Sequence, residues 1–317
     1  MATQTQTSGI PVLDKEGLSL RSVSLWQITW RRLFRRKSAI VGMILLGTLI
    51  FIALTAQWLA PYSPYQPLIG IENVEQRESP CIHAFGCPAS KPQHIMGIDG
   101  NMRDEFSRVL FGARVSLVVG FSSVSFSILV GTILGALGGY FGGRLDNVIM
   151  RVMDVLLAFP SLLLAIAIVT VLGPGLINAL LAIGIVSIPA YARVVRASVL
   201  AVREMDYVSA TRALGGNTVQ ILFRRILPNA LTPLIVQGTL GIATAILDAA
   251  ALSFLGLGAQ PPTPEWGKML ADERNQVFTA PHLIFYPGMA IMLTVLSFNL
   301  LGDGLRDALD PRLAHVS

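Results

Sequence analysis

The side chains able to do chemistry are few and scattered. Cys81 and Cys87 enclose Ile82-His83-Ala84-Phe85-Gly86, and that spacing leaves three readings open. If the segment faces an oxidising space, the pair is expected to close a disulfide. Otherwise it is two free thiols. A metal site would need a fourth ligand beside the two sulfurs and His83, and zinc-motif spacing is absent. Asp248 stands inside an apolar run, where an acid serves either a transport pathway or a structural hydrogen bond. Asp154, near the start of another run, reads as an interfacial partner for Arg151. There is no His-Glu-x-x-His and no Gly-x-Ser-x-Gly, and Gly302-Asp303 lacks the further glycine of a Gly-x-Gly-Asp protease. An enzyme would have little to work with here.

The elements that hold these residues follow from composition. Of 317 residues 53% are hydrophobic and 14% charged, with a mean hydropathy of +0.62. Soluble domains carry about a quarter charged residues, so this is expected to be an all-α polytopic membrane protein. The net charge of +5 would suit nucleic acid, but the basic residues cluster beside apolar runs, as the positive-inside rule requires. Apolar runs of spanning length fall at residues 39–59, 115–138, 152–172, 176–195, 230–252 and 286–301, about six spans. Gly173-Pro174-Gly175 joins the third and fourth as a tight hairpin. Pro160, Pro189 and Pro233 sit in or beside spans and are expected to kink them or serve packing.

Arg144, Arg151, Arg193, Arg196, Arg203, Arg212, Arg224, Arg225, Arg306 and Arg312 then fall on one side with the basic leader, placing both termini in the cytoplasm. The leader is too long and polar for a standard signal peptide, so the first run reads as a retained anchor. Residues 18–37 pattern either as an amphipathic surface helix, with Trp26 and Trp30 at headgroup depth, or as an ordinary basic flank. Gly131, Gly135 and Gly139 recur at four-residue steps, which marks the second span as a packing centre.

One polar, basic stretch between two apolar spans runs from Tyr207 to Asn217 and on through Arg224-Arg225-Ile226-Leu227-Pro228-Asn229. Asp206 is placed to cap a short helix of small residues, Ser209, Ala210, Thr211 and Ala213, which Gly215-Gly216 ends. A second short helix over residues 218–226 leads to Pro228. A small-faced helix standing clear of the bilayer suits a groove on another protein.

This stretch resembles the EAA coupling loop of ABC-importer permeases, especially the peptide-transport branch. Four more segments resemble the second permease subunit of dipeptide and oligopeptide (and nickel) importers. They are Gly97-Ile98-Asp99-Gly100-Asn101-Met102-Arg103-Asp104 with Gly112-Ala113-Arg114, Gly139-Tyr140-Phe141-Gly142-Gly143 with Phe159-Pro160, Leu252 to Gly258 with Trp266-Gly267, and Gly302-Asp303-Gly304 through Asp310-Pro311-Arg312. The chain departs from that pattern where Ser209 replaces Glu, Thr211 replaces Ala, Ile98 replaces Thr, Met102 replaces Gly and Asp248 replaces Glu.

The resemblance implies a type I ABC-importer permease fold in a bacterial cytoplasmic (inner) membrane. It implies a permease moving peptides or similar solutes by alternating access, with Ser209, Ala210, Thr211, Ala213, Leu214, Gly215 and Pro228 coupling to the ATPase. Its implied partners are a second homologous permease, two cytosolic ABC ATPases, an extracytoplasmic solute-binding protein and membrane lipid, with no nucleic acid. No cofactor is expected on this chain, because ATP and Mg belong to the ATPases. The expected division is 1–37, a tail with the amphipathic helix; 38–114, the first span and outer loop; 115–303, the permease core with coupling loop 199–228 and outer loop 256–285; and 304–317, a cytoplasmic tail. An ion-coupled secondary transporter is the alternative, although acids are nearly limited to Asp248 and no inverted repeat is evident.

Overall fold

A computed structural model describes residues 30–309. The leader expectation for residues 18–29 and the Asp310-Pro311-Arg312 segment lie outside that range. Among the described residues five helices are long and apolar enough to cross a membrane: α1 (Lys37–Leu59), α2 (Glu105–Phe141), α5 (Leu176–Arg203), α8 (Thr232–Phe254) and α10 (His282–Leu309). Between α2 and α5 lie α3 (Gly143–Leu157) and α4 (Ser161–Leu172). The short elements are α6 (Asp206–Ala213), α7 (Thr218–Gln220, continued by Ile221–Ile226 and Leu227–Ala230) and α9 (Trp266–Glu273).

The glycine ladder on α2 sets the central helix pair. Ser123 Oγ donates to Leu180 O (3.1 Å) and Ser127 Oγ to Gly184 O (2.7 Å). Further along, Gly131 faces Ile188, Tyr191 and Ala192, and Gly139 faces Arg196 and Val199. The register advances in step along both chains, so α2 and α5 run parallel. A side chain at Gly131 would come within 2.8 Å of Tyr191 Cβ, which is why only glycine lets the two backbones meet here.

Parallel neighbours need a return path, and residues 142–175 supply it. The run expected as one span over residues 152–172 is therefore corrected: α3 and α4 are separate helices bent by 93°. Pro160 has no N–H to donate and disfavours helical geometry at Phe159, so the helix stops at Leu157 and restarts at Ser161. With 12 residues, α4 is about 18 Å long, well short of a ~30 Å hydrocarbon core. The break at Ala158-Phe159-Pro160 is exposed on this chain. Asp154 at its edge pairs with Arg193 (2.6 Å), not with the expected Arg151. Arg151 lies one turn earlier on the same helix, whereas Arg193 projects from the facing helix α5.

The helix directions define two ends. One carries the irregular segments 60–104 and 255–281, and the other carries α6, α7 and most of the arginines. At the arginine-rich end, Leu33 packs with Ala39 and Ala308.

Candidate functional site

The segment singled out by sequence forms a compact, exposed knuckle. Val208 is its only fully buried side chain on α6, plugged into the core that also contains Ile221, Leu222 and Ile226. Ser209, Ala210, Ala213, Leu214, Gly215 and Pro228 are exposed, and Leu214 at 89% is nearly free of contacts. Thr211 is half-buried, its hydroxyl donating back to Tyr207 O at 2.7 Å. Gly215 adopts φ 82, the left-handed turn that ends the helix after Ala213. The expected cap at Asp206 is corrected. Met205 occupies the cap position without a side-chain bond, and Asp206 opens the first turn, where its charge still favours the helix N-terminus.

The second helix also differs from expectation. After one α-turn, capped by Asn217 Oδ1 accepting from Gln220 N at 2.7 Å, residues 221–226 widen into a π-helix. Pro228 explains the widening, since its ring would clash with the carbonyl four residues back in a regular α-turn. Asn229 then closes the knuckle: its amide donates to Arg225 O (2.8 Å) and to Tyr207 Oη (3.1 Å), and Tyr207 Oη itself donates to Arg225 O (3.3 Å). This clasp ties α6 to α7. Chemically the knuckle offers a small-residue face with an apolar tip on a preset frame, which fits docking and not catalysis.

Two arginines join the knuckle to the spans, and sequence reasoning gave them only a topological role. Arg203, three residues before α6, donates from Nη1 to Gly139 O and Tyr140 O, both at 3.1 Å, capping the end of α2. Arg196 clamps Asp146 on α3 with two bonds of 2.5 and 2.6 Å. Through these bonds α5, which leads into the knuckle, is tied to the end of α2 and to α3.

The opposite end holds a second cluster, largely invisible in sequence. His94 lies between two carboxylates, with Nδ1 at 2.9 Å from Asp104 and Nε2 at 3.1 Å from Glu72. Burial works against its charge most strongly of all the influences, but hydrogen bonds and charge from Asp104 and Glu72 together outweigh it and hold its pKa above the ordinary histidine value. Tyr62 donates to Glu72 at 3.0 Å, and burial with that carboxylate pushes its hydroxyl up to about 12. Asp104 also caps α2 by accepting from Ser107 N at 2.8 Å.

Beside this cluster, Asp99 accepts from Arg103 Nε (2.8 Å) and lies 3.4 Å from Arg108 Nε. Arg77 bonds Glu273 across the two loop segments at 2.8 Å. Trp266 donates to Val109 O (3.0 Å) with its ring over Gly112, so the second loop is keyed onto α2. Met102 adopts φ 55, which accounts for the glycine that the peptide-permease pattern carries there.

The remaining expected residues separate. Cys81 and Cys87 are bonded to each other, with Cα atoms 5.4 Å apart. His83 sets its Nε2 at 2.9 Å from Lys91 O, and among the described residues no group of three His, Cys, Asp or Glu side chains is placed to hold a metal. Asp248 is partly buried in α8.

Comparison with known proteins agrees with this geometry. The family model described as "Binding-protein-dependent transport system inner membrane component" matches residues 127–315. A second, "N-terminal TM domain of oligopeptide transport permease C", matches residues 24–78. The chain is 47% identical over 294 residues to a dipeptide transport system permease protein, DppC, of Alkalihalophilus pseudofirmus, covering 92% of this chain and 91% of that one. It is 46% identical to a di/tripeptide permease of Pseudomonas aeruginosa, covering 91% and 92%. It is 45% identical to a glutathione transport permease, GsiD, of Pectobacterium atrosepticum, covering 91% of each chain. Among solved structures, a chain of the MetNI methionine ABC transporter in inward facing conformations aligns with a TM-score of 0.53 at 20% identity, covering 64% of this chain and 97% of that one.

Proposed function

This chain belongs to the family of binding-protein-dependent transport system inner membrane components, as a multi-pass, non-catalytic permease subunit of a bacterial ABC importer, and from that premise we propose that its cargo is a short peptide or glutathione-like solute. The observation that carries the cargo reading is the identity of 45 to 47% to dipeptide, di/tripeptide and glutathione permeases over about nine-tenths of the chain. ATP hydrolysis belongs to ATPase subunits of the same complex, so the ion-coupled alternative falls.

In this reading the knuckle docks into the ATPase through Ser209, Ala210, Thr211, Ala213, Leu214, Gly215 and Pro228. The arginine-rich end is cytoplasmic by the positive-inside rule, and both termini lie there. The boundaries at residues 37/38, 114/115 and 303/304 then separate tail, first span with outer loop, core and C-terminal tail. A second homologous permease completes the pore, and a solute-binding protein meets the loop end, where the exposed Phe278 and Phe85 stand out. The backbone break at residues 158–160 is exposed on this chain, and irregular backbone at membrane depth persists only against protein or water. It therefore lines the pore or the second permease. Asp248 is a pathway group on the same logic.

Ala210→Asp tests the docking. A carboxylate in a desolvated contact costs several kcal/mol, so the variant is expected to lose ATPase association and transport-stimulated ATP hydrolysis while the spans stay folded. Normal co-purification and normal stimulated hydrolysis would remove the docking role.

A further inference from the structure

A groove of about 520 Å³ opens between α1 and α2 in their loop-end halves, lined by Ile50, Leu54, Gln57, Arg114, Leu117 and Phe121. Its two ends differ in chemistry. α1 runs toward the loop end and α2 away from it, so Gln57 and Arg114 line one end while Ile50 and Phe121 line the other. Each helix descends about 10 Å between these residues, at about 1.5 Å per residue. Trp58, next to Gln57, is 79% exposed, and a free indole at the end of a spanning helix marks headgroup depth. The groove thus starts at the interface with an amide and a guanidinium and continues into hydrocarbon with an apolar floor.

Arg114 decides the occupant. It is exposed, and among the described residues it forms no ion pair. A guanidinium at this depth favours a forked anion, and a phosphate at the membrane interface supplies one. A packed apolar helix of another subunit would instead desolvate the charge with nothing to meet it. We propose that the groove binds one anionic phospholipid, its phosphate on Arg114 and Gln57 and one acyl chain between Ile50, Leu54, Leu117 and Phe121. The inference rests on α1 and α2 crossing the membrane and is independent of the cargo.

The test uses the whole transporter in nanodiscs of equal phosphatidylglycerol and phosphatidylcholine, with p-benzoylphenylalanine in place of Val118, which also lines the groove. Photo-adducts identified by mass spectrometry are expected to favour phosphatidylglycerol about fivefold over the bulk ratio, the effect of one interfacial cation. Arg114→Gln is expected to return the ratio to bulk, and Arg114→Lys to keep most of it. If Arg114→Gln does not assemble, the parent complex at about 1 M salt, where exposed charges are screened, replaces it with the same expectation. A bulk ratio in the parent overturns the proposal. So does enrichment that survives both Arg114→Gln and salt, and so do adducts to another polypeptide in place of lipid.

Discussion

Gly131→Ala tests the contact on which the parallel α2–α5 pair depends. The added methyl carbon would lie 2.8 Å from Tyr191 Cβ, 3.0 Å from Ala192 N and 3.1 Å from Ile188 O. Ordinary contact begins at 3.4 Å, so the helices must separate by 3.4 − 2.8 = 0.6 Å at this point. The opposing atoms are backbone and Cβ, which cannot rotate away, and overpacking of this kind costs about 1–3 kcal/mol. Replacing glycine by alanine in a helix also returns about 0.5–1 kcal/mol of backbone entropy, which would blur a single measurement. Gly47→Ala in α1 isolates the contact, because it makes the same replacement where nothing lies within 4 Å. The difference between the two variants is therefore expected to be about 1–3 kcal/mol, with Gly131→Ala the less stable. Unfolding of the purified complex by denaturing detergent, followed by circular dichroism, reads that difference. If the two variants agree to within about 0.5 kcal/mol, the close approach of α2 and α5 is not what holds the pair.

Three further outcomes follow from the polar groups and the orientation. His94 has a folded pKa above its unfolded value near ~6.5, so its contribution to loop stability is full below that pH and is lost as pH rises through the raised value. Hydrogen-exchange protection around residues 94–104 should fall as pH rises above about 6.5, and His94→Gln should flatten the slope; a rising or unchanged profile would contradict the paired imidazolium. Asp248→Asn is expected to keep complex yield and lower uptake, with Asp248→Ala lower still; reduced yield with normal uptake per complex would make it a packing residue. Cys81 and Cys87 should resist a membrane-impermeant maleimide from outside until a reductant is added, and protection even after reduction would count against the proposed orientation.

Sequence alone determined the features whose physics is local or additive. Apolar run length marks an uninterrupted spanning helix, so the five long spans were legible. The exposed short helix α6 was legible for a similar reason, since small residues followed by a left-handed Gly215 specify its end without help from the fold. The four-residue glycine step also announced a packing face, though not that α5 would occupy it.

Tertiary structure decided whatever depends on direction or on a distant partner. Hydropathy is a scalar and cannot register the 93° turn at Pro160, so two helices looked like one span. The same blindness paired Asp154 with its sequence neighbour Arg151, when the facing helix α5 brought Arg193 instead. Arg77 and Glu273, or Trp266 and the Val109 carbonyl, stand more than 150 residues apart, and no short-range pattern couples them. His94 reads as an ordinary loop histidine until folding places a carboxylate on each ring nitrogen. The cost of burying charge is met only by partners that the completed fold delivers, and that is why these sites appear last.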